Sequence, residues 1–239
     1  MTAGGPADIR IAAGPVCLLP VDAFTGRVPA LRVTVVVERR LADGRWAADG
    51  DVPVVTTPSG VILLPSLASP RPITPGSAVQ RVRVRLVSPY LLAAGHPDGV
   101  AFDAPSSTVP PVTRMRLYPL PNYPFPPGIR LLRGRVRRGG VPGAATAGGS
   151  VSGRPRTDSD HVARGADWVE YAATAPDGFF RLPLRKVGSK PLLPGPVAPD
   201  PEWFTITARA APGQVGGPEV SVQLTAEDVR GSEQLIEIP

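Results

Sequence analysis

Two stretches of the sequence decide the fold: "VVTTPSGVILLPSL" at 54–67 and "AATAPDGFFRLPL" at 172–184. Each leads from β-prone residues into Thr-x-Pro-Ser/Asp-Gly, then through four mostly apolar residues into Pro-Ser-Leu at 65–67 or Pro-Leu at 183–184. Ser-Gly or Asp-Gly after a proline is typical of a tight turn, and β-prone flanks make that turn a hairpin. The second copy follows the first by about 118 residues. An echo at a fixed offset indicates a repeated structural unit.

The composition favours many short strands joined by turns. The chain has 239 residues, which is enough for two domains with a core each. Its 42% hydrophobic and 19% charged residues exclude the disordered class. The 26 glycines and 32 prolines separate apolar runs and do not cluster. This spacing is typical of strands punctuated by turns.

The charge and the N-terminus limit the function classes. The net charge is +6, and Lys186 and Lys190 are the two lysines, so the basic charge is nearly all arginine. A GC-rich genome explains this bias; a surface for acidic partners or nucleic acid is the alternative.

Cys17 is the single cysteine, so no intramolecular disulfide forms. No ordinary signal peptide and no apolar run of about 18–20 residues is present. We expect a cytoplasmic protein, or one released from there with a particle.

The first half contains strand signals separated by turns. "LRVTVVVER" at 31–39 is rich in β-branched residues, and "VQRVRVRLV" at 79–87 alternates strictly. The alternation puts Val82, Val84 and Leu86 on one side and Arg81, Arg83 and Arg85 on the other. Shorter strand signals lie at 15–22, 99–103 and 112–120. No segment shows convincing helical periodicity, although 88–99 leaves room for one helical turn.

The second half repeats these signals in the same order. "LLRGRVRRGGVPGAATAGGSV" at 131–151 predicts a strand, a Gly-Pro turn and a second strand. A polar loop at about 152–167 leads to the echoed phrase. Further strand signals follow at 202–210, 219–225 and 233–239. An ordered agreement over the whole chain favours a repeat over a chance hairpin.

The prediction is an all-β protein with two tandem β-sandwiches of about seven short strands each. The predicted segments are an N-terminal arm at 1–14, a first sandwich at 15–119, a linker at 120–129 and a second sandwich at 130–239. The stretch "PLPNYPFPPG" at 119–128, called the strap below, contains five prolines. Prolines fix φ and favour an extended, semi-rigid segment. Tyr123 and Phe125 are predicted to anchor the strap by packing against one or both domains.

The second unit carries a family pattern: Arg-Gly-x-Val, a turn, Gly-Val-Pro-Gly-Ala, a strand, then Thr-x-x-Asp-Gly-Phe-Phe-x-Leu. It resembles the carboxypeptidase regulatory-like domain, a transthyretin-like (prealbumin-like) Greek-key sandwich in the wider immunoglobulin-like group. The matching residues are Gly134, Val136, Gly140, Val141, Pro142, Gly143, Ala144, Thr174, Asp177, Gly178, Phe179 and Leu182. The first unit matches more loosely, at Gly26, Pro29, Thr57, Gly60, Ile62 and Leu64. The resemblance implies a fold and a binding or assembly role, and it brings no catalytic residues.

A second resemblance concerns "YPFPPGIRLLRGRV" at 123–136. A Tyr-Pro-Phe-Pro segment leading into Arg-Gly-x-Val is similar to small regulatory-domain proteins encoded with phage-tail-like contractile injection systems of bacteria. This resemblance implies an accessory part of a cap, collar or baseplate.

The candidate catalytic and metal-binding residues lack the context that their chemistry needs. His96 and His161 fall in predicted loops without a metal-ligand spacing. The loop at 157–167 holds Asp158, Asp160, His161 and Asp167, but a solvated loop explains it better than a metal or acid/base site. Cys17 lies in an apolar run, as core cysteines do. "GAATAGGS" at 143–150 lacks the pattern of a phosphate-binding loop. We therefore expect no enzyme activity, no cofactor and no metal.

The role of the arginines and the role of the tryptophans each have two possible interpretations. Arg81, Arg83 and Arg85 share one strand face, and Arg133, Arg135 and Arg137 share another. Such faces are either solvated surfaces that discourage strand stacking or docking faces for acidic protein surfaces. Nucleic acid is disfavoured because aromatic residues are not interleaved with the arginines. The tryptophans favour core or rim packing over a sugar-stacking cleft: Trp46, Trp168 and Trp203.

The predicted function is non-enzymatic and structural: an accessory component of a phage-tail-like contractile injection particle. Its partners would be other protein subunits, without a membrane span, nucleic acid or a small ligand. Docking would use exposed strand edges and the arginine faces. A β-sandwich module that binds carbohydrate or a cell-surface ligand is the alternative.

Overall fold

The computed structural model describes residues 16–67, 80–94, 96, 98–104, 112–139, 149–155, 168–185, 203–210, 218–231 and 233–239. In these residues the regular structure consists of sixteen β-strands, one α-helix and one 3₁₀ turn. The predicted all-β class is therefore confirmed. The predicted arm at 1–14, the glycine-rich 143–148 and residues 156–167 of the predicted polar loop lie outside the described residues. The loop predicted from 152 is wrong at 152–155, because these residues belong to a strand, Ser150–Pro155.

The first half of the chain forms nine strands. They are β1 (Cys17–Asp22), β2 (Thr34–Arg40), β3 (Trp46–Ala48), β4 (Val55–Thr56), β5 (Ile62–Leu63), β6 (Gln80–Val87), β7 (Leu91–Ala93), β8 (Val100–Ala104) and β9 (Thr113–Pro119). The 3₁₀ turn is Pro65–Leu67. The helical turn considered for 88–99 is wrong at its centre, because Leu91–Ala93 is extended and pairs with β9.

The second half forms seven strands and the helix. They are β10 (Arg130–Arg138), β11 (Ser150–Pro155), β12 (Glu170–Ala173), β13 (Phe179–Leu184), β14 (Trp203–Arg209), β15 (Glu219–Thr225), α1 (Ala226–Gly231) and β16 (Gln234–Ile238). The sequence reading missed α1. A capping box begins it: the Thr225 hydroxyl accepts from the Asp228 amide at 3.1 Å, and the Asp228 carboxylate accepts from the Thr225 amide at 2.8 Å.

The strands form sheets with the same order in both halves. One sheet of the first half has the order β4-β5-β1-β9-β7, and one sheet of the second half has the order β13-β10-β16. The other two sheets have the orders β3-β2-β6-β8 and β12-β11-β14-β15. If β4 and β7 are left out, each strand of the first half has a counterpart in the second half at the same place in chain order.

The two quoted phrases form the same turn. In the first, the Thr57 amide donates to the Val61 carbonyl at 2.9 Å and the Gly60 amide to the Thr57 carbonyl at 2.8 Å. In the second, the equivalent bonds join Ala175 to Phe179 at 2.8 Å and Gly178 to Ala175 at 2.9 Å. Gly60 and Gly178 have φ of 78° and 77°, a left-handed conformation that favours glycine. The predicted hairpin at 58–60 is confirmed, because β4 pairs with β5.

The backbone contacts divide the chain into two compact units. The first contains Met1–Pro20, Val35–Val84 and Val100–Arg114. The second contains Val21–Thr34, Arg85–Gly99 and Met115–Pro239. Val82 and Val84 are among the most buried side chains of the first unit. The boundaries predicted from the sequence, with a linker at 120–129, stay a prediction.

A single core fills the space between two sheets of the second unit. The three-stranded sheet contributes its inward residues on β10, β13 and β16, and the four-stranded sheet contributes those on β11, β12 and β14. The residues with no exposed surface are Leu132, Val136, Val151, Ala172, Phe180, Leu182, Phe204, Ile206 and Ala208. The apolar residues alternate with exposed ones, as a half-buried strand requires.

Gly134 lets β10 approach its neighbours. β10 is the central strand: it pairs antiparallel with β13 and parallel with β16. A Cβ added at Gly134 would lie 2.7 Å from the Phe180 ring and would also collide with the backbone carbonyl of Gln234. Because one obstacle is backbone, no rotamer change can make room for it. The glycine of Arg-Gly-x-Val is thus a packing residue.

We predict that Gly134→Ala lowers the free energy of unfolding by about 3 kcal/mol, since it overpacks a fully buried site. Gly50→Ala is the control, because a Cβ there meets nothing within 4 Å. Its effect is expected to stay within about 0.5 kcal/mol. Urea unfolding followed by circular dichroism measures both. Equal effects of the two substitutions would contradict this role.

Candidate functional site

Two of the three arginines on the outer face of β6 pair with acids of their own sheet. Arg81 pairs with Asp103 of β8 at 3.1 Å, and both side chains are about half exposed. Arg83 pairs with Glu38 of β2 at 2.7 Å, with 19% and 10% of the two side chains exposed. Arg85 also has an interaction partner. The alternation predicted for this strand is confirmed. Each of its three arginines, however, already has an interaction partner within the chain.

Arg83 lies between an acid and an aromatic ring. Its guanidinium carbon is 4.5 Å from the centre of the Trp46 ring while Nε donates to the Glu38 carboxylate. A cation over an indole face gains electrostatic energy, more when partly desolvated. Trp46 therefore has a packing role, which is the default interpretation of the tryptophans. Glu38 is buried, and Arg83 is a cation that balances its charge.

Arg83→Met is expected to lower the free energy of unfolding by about 2 kcal/mol, since it keeps the aliphatic stem but removes a cation that pairs with the buried Glu38. Arg81→Met removes the same charge from an exposed pair and is expected to cost less than about 1 kcal/mol. Chemical denaturation of the two variants measures the difference. A larger loss for Arg81→Met would refute the assignment.

The arginine face of β10 is different. Arg135, at its centre, donates to Asp177 and to Glu233, both at 2.8 Å. Its guanidinium carbon is 5.7 Å from the centre of the Phe179 ring. The amide of Phe179 and then Arg135 hold the pKa of the Asp177 carboxyl below its usual value. Arg135 thus joins β10 to the repeated turn and to the residue before β16.

Arg133 and Arg137 are exposed on either side of Arg135. Arg133 lies opposite Arg181 of β13, and Arg137 lies opposite Glu237 of β16. Within the part of the chain that the structure describes, neither arginine has an acid within the 4.0 Å of an ion pair. The triplet is therefore one bound arginine flanked by two that are open to a partner.

The strap is packed through its aromatic residues. Tyr123 is buried, and its hydroxyl donates to the Asp22 carboxylate at 2.7 Å. Burial, together with this bond, raises the pKa of Tyr123, so the phenol keeps its proton. The Phe24 ring packs edge-on against Tyr123 and Phe125, with ring centres 5.8 and 5.2 Å apart.

Arg181 also contacts the strap. It donates to the Pro121 carbonyl at 2.8 Å, and its guanidinium carbon is 5.4 Å from the centre of the Phe125 ring. Burial, and then the charge of Arg133, lower the pKa of Arg181. The strap is thus held by residues of the turn after β1 and of β13, all within the second compact unit.

A cavity of about 510 Å³ lies beside the strap. Asp22 and Tyr123 form part of its lining. They are hydrogen-bonded to each other, and Asp22 also accepts from the Phe24 amide in the turn after β1. The other lining residues are Thr25, Arg27, Val28, Ala30, Leu31 and Pro124. Sequence reasoning gave no sign of it, since its walls come from segments about a hundred residues apart.

Glu170 of β12 is a buried carboxylate with an exposed partner. One oxygen accepts from Arg185, while Oε2 has no hydrogen-bond partner in the described structure. Burial raises the pKa of Glu170; Arg185 opposes this, and the charge of Asp22 adds to it. The sequence signal was weak, because "WVEYAA" at 168–173 places the acid in an otherwise apolar strand.

We predict that Glu170→Gln becomes more stabilising relative to wild type as the pH rises from about 4 to 7. The native pKa is above the unfolded one, so this group's contribution is largest below the unfolded pKa and is lost as pH rises through the native pKa. Glutamine mimics the protonated acid at every pH. Urea unfolding across this range tests it, with Glu237→Gln on the exposed face of β16 as the control. A constant or falling difference would refute it.

Trp168, Cys17 and His96 are other sequence candidates that the structure describes. Trp168 packs against the core near Phe204, with ring centres 6.3 Å apart. Cys17 is buried, as its apolar run predicts. No group of three or more metal-ligating side chains occurs in the described part of the chain, which includes His96 but not His161. The same part contains no helix long and apolar enough to cross a membrane.

Comparison with known proteins gives little similarity. No family model matches the chain, and no curated protein matches it. Among solved structures, the TIE protein of Bacillus anthracis matches with a TM-score of 0.26 and 11% identity. That match covers 93% of this chain and 32% of the other, so the chain spans about a third of its length. Chains this dissimilar need not share a fold or a function.

Proposed function

We propose that this protein is a non-enzymatic assembly component, built from two tandem seven-stranded Greek-key sandwiches of the transthyretin-like, carboxypeptidase regulatory-like kind. It would be an accessory subunit, at the cap, collar or baseplate, of a phage-tail-like contractile injection particle. It docks to neighbouring protein subunits by shape and charge.

The tandem repeat is supported by the matching strand orders and by the turn that recurs at Gly60 and Gly178. In the second unit, residues of the family pattern that the structure describes have structural roles. Gly134 admits the Phe180 ring, Gly178 forms the turn, and Leu182 is fully buried. Folding residues of this kind fit a scaffold.

The observation that carries the assembly role is the exposed pair Arg133 and Arg137, for which the described structure offers no acid in ion-pair range. Surface cations that a chain does not neutralise itself are available to an acidic partner. The packed strap supports the same role, because Phe24 and Arg181 hold Tyr123 and Phe125 in place. A contact surface that is fixed before binding loses less entropy on docking.

The test is to tag the protein in its own host, sediment the lysate and identify by mass spectrometry what travels with it. We expect it to pellet with sheath-like and tube-like proteins. A host strain without the sheath protein is the control, and there the tagged protein should move to the soluble fraction. Sedimentation that does not depend on the sheath, or a free monomer in the wild-type host, would overturn the proposal.

The alternative is a module that binds a carbohydrate or a cell-surface ligand, and the cavity beside Tyr123 gives it a location. A ligand that binds the folded protein raises the melting temperature of the isolated protein, by more as the ligand concentration rises above Kd. A glycan or peptide that raises this temperature in wild type, but not in a variant with the cavity filled at Ala30, would favour the module.

A further inference from the structure

The two arginine triplets look alike in the sequence, but the structure separates their roles. On β6, Arg81 and Arg83 already pair with Asp103 and Glu38, and Arg85 also has an interaction partner. On β10, Arg133 and Arg137 remain exposed. The docking surface is therefore to be sought on the outer face of the β13-β10-β16 sheet.

This outer face has three rows. The first row is Arg181 and Arg133; the second is Phe179, Arg135 and Leu235; the third is Arg137 and Glu237. Leu235 is 55% exposed, a high value for a large apolar residue. The face thus presents an open cation, an apolar side chain beside a bound arginine, and a second open cation.

The spacing of the rows sets the spacing in a partner. Residues on one face of a strand are about 6.6 Å apart, so the backbones of Arg133 and Arg137 are separated by about 13 Å. In an extended partner segment the same distance separates residues i and i+4, and residue i+2 points to the same side. A segment that runs over β10 and the neighbouring β16 would meet Arg133, then Arg135 with Leu235 beside it, then Arg137.

We infer that this face binds an extended, acidic protein segment with the pattern acid-x-apolar-x-acid. Two carboxylates would pair with Arg133 and Arg137, and the apolar residue between them would cover Leu235. The inference rests on the proposed function, since it names the chemistry of the subunit that is docked.

The mixed chemistry of the face favours protein over other polyanions. Glu237, Glu233 and Asp177 lie among the arginines and would repel a continuous row of phosphates. Aromatic stacking platforms for bases are also missing from the described part of this face, because Phe179 lies beneath Arg135. The exposed Leu235 near two cations needs an apolar group from the partner, and a protein segment can supply one between two acidic side chains.

The experiment is an NMR titration of the full-length ¹⁵N-labelled protein with the synthetic peptide SETLTES, up to millimolar concentration. The control peptide SEETLTS has the same composition but places its acids on opposite faces. Three variants are compared with wild type: Arg133→Ser with Arg137→Ser, Leu235→Ser, and the matched control Arg114→Ser with Arg154→Ser. The control removes two exposed arginines elsewhere. Melting curves establish that each variant is folded.

The expected result is amide shifts on β10 and β16 with SETLTES and weaker shifts with SEETLTS. Affinity should fall about tenfold in the Arg133/Arg137 variant, fall in Leu235→Ser, and stay unchanged in the control variant. It should also weaken as salt is raised.

Equal binding of the two peptides, no shifts at all, or tighter binding of a DNA oligonucleotide or of vesicles with anionic lipid would overturn the inference. Because this measurement needs no particle, its outcome is independent of the sedimentation test. If the protein binds the peptide but does not sediment with the particle, the peptide-binding surface is supported and the proposed place in a particle is rejected.

Discussion

The alternation of β10 is the constraint on which the second compact unit depends. Leu132, Gly134 and Val136 point into the core, so Arg133, Arg135 and Arg137 must point out. A slip of one residue would bury three guanidiniums and expose the apolar set, which makes the register strongly specified. Because β10 also pairs with a neighbour on each side, its register is passed on to β13 and β16.

Much of the strand pattern was predictable, because it is local. Apolar and polar or charged residues alternate along β6, β10 and β15, and proline and glycine mark the two repeated turns. Several short elements were missed, among them Trp46–Ala48, which has only three residues. Leu91–Ala93 is too short to show a period, and the helix Ala226–Gly231 has only six residues, although Thr225 and Asp228 carried a capping signal.

The division between the two arginine triplets could not be predicted, because the acids that decide it come from other strands. Glu38 reaches Arg83 across 45 residues of chain, and Glu233 reaches Arg135 across 98. Strand alternation says which way an arginine points and nothing about what it meets. The buried Asp22–Tyr123 hydrogen bond was unpredictable for the same reason. Neither residue stands out in its own segment of the sequence, and only the fold brings the two together.

The parallel pairing of β10 with β16 also bears on how the chain is made. Gly134 pairs with Gln234, so β10 leaves the ribosome about a hundred residues before its neighbour. At roughly 5–20 residues per second, that edge of β10 stays unpaired for about 5–20 seconds. An uncovered edge is a template for pairing with other chains. During this interval the alternating arginines act as gatekeepers, since like charges keep nascent copies from joining edge to edge.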